Sequence, residues 1–199
     1  MGLFYTNVIL YKVELQKVAA LLHRQRRVAY VSATQADFTV VDDRQTEDQN
    51  VKDLEALAKF LSRKLKCTAL ASLVHDGDRY LYWLFARGKL LDTYDSVPGY
   101  FNEENDDLLP AGGDVEKLCA AFEQLDVVVT VRQIFGRVEK TSRDELDPGE
   151  LLIGEDIHAA LAEALGMPPF AAATGYYTIA NADPQDQSAG AFATFTKVE

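Results

Sequence analysis

The chain has 199 residues, a net charge of −11 and a hydrophobic fraction of 48%. This length suits one α+β domain, or one domain with a small appendage, and the composition is that of a globular protein rather than a disordered one. The sequence contains no apolar run near the roughly 18 residues of a membrane span, and its start has no basic region or cleavage site typical of a secretory signal.

The first elements are predicted from hydrophobic patterning. Residues 3–11 form a strand that is apolar on both faces, which is typical of a central strand. A helix follows at residues 14–26, and short strands follow at 27–33 and 37–41. A strand, a helix and a second strand indicate one right-handed crossover, so we expect a mixed, mainly antiparallel sheet.

The clearest predicted helix covers residues 51–65. Its apolar residues recur at helical spacing along one stripe, and its charged residues face away from that stripe. Asn50 is placed to cap the N-terminus, with Asp53 in the first turn. We expect this helix to pack on the sheet.

The segment His75-Asp76-Gly77-Asp78 allows two interpretations, a hairpin turn or a chemical site. Asp-Gly favours a type I′ turn because both central residues need positive φ, and strand-like runs flank it at 68–74 and 79–86. A second turn at 87–89 and a strand at 90–95 complete a three-stranded meander. The turn explains the segment without catalysis.

A catalytic alternative remains open for the same region. His75 and the carboxylates of Asp78, Asp92 and Asp95 could perform general acid–base chemistry in a pocket beneath a loop at residues 97–113. Zinc and EF-hand patterns are absent from the sequence, so we predict no metal and no cofactor.

The strand at 79–86 is apolar and aromatic on both faces, with Tyr80 and Tyr82 on one face and Trp83 on the other. Such a strand is typical of a covered central position, although tyrosine and tryptophan also serve as binding anchors. The aromatic cluster continues at Tyr94 and beyond. We therefore expect either core residues or a partner-binding surface.

The loop at 97–113 combines aromatic and acidic residues and could act as a binding loop. The candidate partner-binding set is Tyr80, Tyr82, Trp83, Tyr94, Tyr100, Phe101, Glu103, Glu104, Asp106 and Asp107. A solvated charge run is the preferred interpretation of its four carboxylates, because no rigid ligand spacing supports Ca²⁺.

The C-terminal part is predicted to hold helices at 115–125 and 156–165, with His158 on the flank of the second. Residues 127–135 fit either a strand or a helix, and residues 139–150 form a polar linker. Alternating patterns at 175–180 and 191–198 predict a hairpin. We therefore divide the chain into an α+β core domain, 1–126, and a packed helix-plus-hairpin extension, 127–199.

Charge distribution points to the function. Residues 92–116 contain eight acidic and no basic side chains, and residues 139–163 contain eight acidic against two basic ones. Such a surface disfavours nucleic acid and anionic membranes and favours a basic protein partner. Cys67 and Cys119 are expected to be reduced thiols of a cytoplasmic protein.

We therefore expect a non-enzymatic interaction protein, such as an inhibitor or immunity-type protein that masks a basic partner. Self-association through the aromatic face is the alternative to a basic partner. The alternative function is a small-molecule binder or hydrolase-like enzyme that uses the His75 region.

Overall fold

A computed structural model describes residues 2–101, 108–139, 153–182 and 194–199, with the backbone alone at 137–139. The strands are β1 Tyr5–Tyr11, β2 Ala29–Ser32, β3 Phe38–Asp43, β4 Thr68–His75, β5 Arg79–Ala86, β6 Lys89–Asp95, β7 Ala111–Gly112 and β8 Phe195–Val198. The helices are α1 Leu15–Arg24, α2 Val51–Leu65, α3 Val115–Ala121, α4 Val128–Glu139, α5 Gly154–Ala164 and α6 Tyr176–Ala180. Two short 3₁₀ helices cover Leu125–Val127 and Pro169–Ala172.

The strands form one sheet in the order β7-β6-β5-β4-β1-β3-β2-β8, which confirms the α+β class. Among the described residues every neighbouring pair is antiparallel. β1 and β2 run in the same direction, as the crossover predicts, but β3 lies between them and pairs with both. The expected parallel pair is therefore replaced by two antiparallel ones.

Helices cover the sheet on both faces, and this explains why its central strands are apolar on both sides. On one face, α1 and α2 pack against alternate strand residues such as Val8 and Leu10 of β1. On the other face, α3, α4 and α5 pack against residues such as Ile9. Side chains alternate between the two cores with the period of two that a strand imposes.

Local signals account for the boundaries of the well-predicted elements. The Asn50 side chain accepts hydrogen bonds from the backbone N–H groups of Lys52 and Asp53 at the start of α2. Asp76 and Gly77 have φ values of 52° and 74°, which confirms the turn between β4 and β5. At the end of α5, Gly166 has a φ of 70° and its N–H donates to the Glu163 carbonyl.

The C-terminal hairpin prediction is wrong. Residues 176–180 form helix α6, and β8 pairs with β2 at the sheet edge. Tyr176 and Ile179 are both buried, and their spacing of three places them on one face of a helix but on opposite faces of a strand. The ambiguous residues 127–135 begin with a 3₁₀ turn and continue as α4, where Val131 and Ile134 face the core.

The division at residue 126 stays a prediction, as does the polar linker at 139–150, which falls almost wholly outside the described residues. Side chains from both sides of the proposed boundary share one core cluster.

Candidate functional site

An aromatic cluster surrounds His75 where β4 ends. The His75 ring lies edge-on to the rings of Phe4, Tyr100 and Phe101, with centroid distances of 4.9, 5.3 and 5.1 Å. The side chains of Phe4 and Phe101 remain 48% and 73% exposed. We call Leu3, Phe4, His75, Tyr100 and Phe101, with the adjoining turn 76–78, the turn patch.

Backbone hydrogen bonds hold this turn between the N-terminal segment and α5. The Gly77 N–H donates to the Leu3 carbonyl at 2.9 Å, and the Gly2 N–H donates to Asp76 Oδ1 at 3.1 Å. From the other side, the Gly154 and Glu155 N–H groups donate to the carbonyls of residues 78 and 77, each at 2.8 Å. The turn is thus fixed, while the Asp76 and Asp78 side chains are exposed.

A cation–carboxylate pair forms the other border of the turn patch. Arg79 Nε and Nη2 donate to the two carboxylate oxygens of Asp95 at 2.9 and 2.6 Å. The Arg79 guanidinium lies 6.0 Å from the ring centroid of Tyr100 and 5.6 Å from that of Phe101. Desolvation raises the pKa of Tyr100, the nearby carboxylates of Asp76 and Asp78 raise it further, and Arg79 opposes them.

The structure separates one member of the predicted catalytic group, Asp92, from the others. His75 and Asp95 are on the α1/α2 face of the sheet. His75 lies two residues after Leu73 on the same strand, and Asp95 pairs with Leu81, and both leucines belong to that core. Asp92 lies on the opposite face, since it pairs with Leu84 of the other core.

Each member of that group also has another partner or is solvated. His75 Nδ1 lies 2.5 Å from Gln49 Oε1, and Asp95 is occupied by Arg79. Asp92 Oδ2 accepts from the Tyr82 hydroxyl at 2.6 Å and from the Asp114 N–H at 2.8 Å. Asp78 is an exposed turn residue.

The candidate partner-binding set divides by burial. Tyr80, Tyr82 and Tyr94 are buried in the core beneath the C-terminal helices, so they present no surface to a partner. Trp83 is half-buried on the α2 side of the sheet. Only Tyr100 and Phe101 belong to the exposed turn patch, and Glu103, Glu104, Asp106 and Asp107 lie outside the described residues.

Sequence analysis missed a buried polar network on the α5 face of the sheet. The Tyr5 hydroxyl donates to the Ala172 carbonyl at 2.8 Å and lies 2.9 Å from His158 Nδ1. The Asn7 side-chain amide donates to the carbonyls of Ala171 and Thr174, at 2.8 and 3.1 Å. These bonds tie the segment after α5 to the central strand β1.

His158 belongs to the core, and its prediction as a flank residue is wrong. It is 1% exposed, and its ring stacks on that of Tyr80 at a centroid distance of 4.7 Å. Burial lowers its pKa to about 3, so the imidazole is neutral near pH 7. Because the Tyr5 proton is directed at Ala172, Nδ1 of His158 must carry the hydrogen, and Nε2 has no partner in the described part of the chain.

Asp42 extends the network to β3. Its Oδ1 lies 3.3 Å from the Thr174 hydroxyl, while Oδ2 has no partner among the described residues. Burial and the nearby Glu47 carboxylate raise the pKa of Asp42 well above its usual value. The signal available in the sequence was a polar residue at an inward position of an apolar strand, at both Asn7 and Asp42.

Two tests of other site classes apply to the described residues alone. These residues contain no group of three or more His, Cys, Asp or Glu side chains able to hold a metal ion. None of the helices they form is long and apolar enough to cross a membrane. No protein-family model, curated protein or solved structure matches this chain.

Proposed function

We propose that this chain is a non-enzymatic interaction protein of the cytoplasm that binds a basic protein partner through the turn patch, in the manner of an inhibitor or immunity-type protein. The observation that carries this proposal is the exposure of Phe4 and Phe101 beside the carboxylates of Asp76 and Asp78. Aromatic anchors bordered by one sign of charge are typical of a docking surface.

The rigidity of the patch supports this function. Three backbone hydrogen bonds and one to the Asp76 carboxylate hold the turn and its neighbours, so docking would require little ordering of the turn. Arg79 is neutralised by Asp95, whereas the carboxylates of Asp76 and Asp78, with Glu155 beside Gly77, form no ion pair with the described residues. A partner that presents lysine or arginine side chains around an apolar centre would complement it.

The wider charge pattern would assist the encounter. The acidic stretches at 92–116 and 139–163 give a negative field that accelerates association with a cationic protein and repels nucleic acid. The two cysteines are free and buried, which agrees with a reducing compartment.

The test begins with the tagged protein as bait in a lysate of its own cells, at low and at raised salt. A retained basic protein is then purified and titrated against three variants. Phe101→Ala should weaken binding by about 1–2 kcal/mol as a lost anchor, and Asp76→Asn/Asp78→Asn should reduce both the affinity and its salt dependence.

Leu125→Ala is the matched control, because Leu125 is an apolar side chain 65% exposed outside the turn patch. Asn at position 76 keeps the turn, since it tolerates positive φ and can still accept from Gly2. The proposal fails if no basic protein is retained, or if Leu125→Ala weakens the complex as much as Phe101→Ala. Retention of the chain itself would point to self-association instead.

A further inference from the structure

A groove of about 590 Å³ runs between α1 and the C-terminal third of α2, far from the turn patch. Its floor is apolar and consists of Ala20 and Leu21 of α1 with Phe60 and Leu65 of α2. Leu21, Phe60 and Leu65 are half-buried and pack against the core beneath. The turn patch contacts Gln49 just before α2 begins, so α2 separates the two surfaces by roughly 20 Å.

Positive charge lines this groove in a chain that is acidic overall. Lys17, Arg24 and Lys64 border the floor, the remaining polar residues are Gln16 and Gln25, and no acidic residue lines it. The three bases are exposed and, in the described part of the chain, none of them forms an ion pair. The chain has 31 acidic against 20 basic residues, so the lining is opposite in sign to the net charge.

Helix stability explains only part of this charge. Arg24 and Lys64 lie in the last turns of their helices, where cations interact favourably with the helix dipole. Lys17 lies in the first turn of α1, where the same dipole disfavours a cation, and it forms no ion pair with Glu14 at the N-cap. A function at the groove would account for all three.

We propose that this groove docks an acidic amphipathic helix of a second partner protein. A furrow between two helices admits a third helix whose apolar residues recur at i, i+4 and i+7, and its flanking glutamates would meet the three bases. The occupant follows from charge complementarity, and the inference does not depend on the function of the turn patch.

The probe is a fluorescein-labelled peptide of about 15 residues, with leucines at i, i+4 and i+7 and glutamates on both flanks. Binding is followed by fluorescence anisotropy at about 0.05 M and about 0.3 M NaCl. We expect saturable binding that weakens with salt. A control peptide of the same composition, whose leucines do not share a face, should bind at least about tenfold more weakly.

Two variants and a matched control locate the site. Lys17→Glu/Lys64→Glu should weaken binding about tenfold, and Ala20→Trp should weaken it similarly by filling the groove without changing the charge. Lys59→Glu is the control, because Lys59 is exposed on α2 outside the groove and should alter the affinity less than about twofold. Circular dichroism establishes that each variant is folded.

Four results would overturn the inference. Equal affinity for the two peptides would show a charge effect without a groove, as would an effect of Lys59→Glu equal to that of the double variant. Competition by dodecanoate at stoichiometric concentration would assign the groove to a small amphiphilic anion. Self-association that the double variant abolishes would make a second copy of this chain the occupant.

Discussion

His158 is a histidine that contributes to stability only while it is neutral. Its ring is enclosed by Tyr5 and Tyr80, and burial holds its pKa at about 3 against about 6.5 in the unfolded chain. Between these values the unfolded state binds more protons than the folded state. Its contribution is therefore complete above pH 6.5 and is lost as the pH falls towards 3.

The substitution His158→Gln should reveal this dependence. At pH 7 we expect the variant to be less stable by about 2–3 kcal/mol, because it loses the stack on Tyr80 and the hydrogen bond with Tyr5. Between pH 6.5 and 5 the wild type should lose about 2 kcal/mol that the variant does not lose, so the difference narrows. Urea unfolding of both proteins at pH 6.5 and at pH 5 measures this difference in the free energy of unfolding.

The matched control is His23→Gln, which also removes one imidazole, but from an exposed position. A difference for His158→Gln that stays constant with pH would mean that His158 is not protonated on unfolding in this range.

At the scale of elements, patterning located most of the sheet and its helices. The runs at 68–74 and 79–86 around Asp76-Gly77 became β4 and β5, and the stripe at 51–65 became α2. Where patterning failed, the segment was short. The five residues of α6 cover fewer than two helical turns and contain one buried pair, which is too short a pattern to establish a period.

The candidate site was predicted less well, for a physical reason. The aromatic face of β5 could be core or surface, and the answer depended on where α5 packs, since its His158 stacks on Tyr80. The turn patch needs the N-terminal segment, which contributes Phe4 from a position 71 residues before His75. No local pattern contains such a contact.

Two side chains of β1, Tyr5 and Asn7, hold the segment Pro169–Ala180, and Asn7 makes more of the hydrogen bonds. Asn7 donates to two carbonyls of this segment, and truncation to Ala would leave both without that donor in the interior. We expect Asn7→Ala to cost about 2–3 kcal/mol and to loosen the segment before the sheet opens. Hydrogen exchange should accelerate at Ala171, Ala173 and Ile179 more than at amides of β4.

Ser72→Ala is the matched control, because Ser72 faces Asn7 in the ladder but makes only a 3.3 Å contact with the Tyr80 hydroxyl. Uniform acceleration in β4 and in the segment would mean that Asn7 stabilises the whole fold and not the covering segment.

At the scale of the whole molecule, charge is distributed unevenly around a net value of −11. Repulsion among the excess acidic side chains opposes the compact state. The groove between α1 and α2 has a local excess of basic residues, which offsets part of this repulsion. The acidic turn patch would therefore attract a basic partner, and the basic groove would attract an acidic one.

Ionic strength tests this distribution directly. The free energy of unfolding should rise by about 1 kcal/mol between about 0.02 M and 0.3 M NaCl, because salt screens repulsion between exposed charges. Lys17→Glu/Lys64→Glu takes the net charge from −11 to −15, since each reversal subtracts two, and its stability should depend more steeply on salt. The salt dependence of Lys59→Glu, at a net charge of −13, should lie between those of the wild type and the double variant.

If the three slopes follow net charge, the double variant is a folded protein whose groove has reversed charge, and its loss of peptide binding reports on docking. If the double variant instead remains unstable at high salt, the bases of the groove support the packing of α1 on α2, and Ala20→Trp alone must then decide the docking proposal.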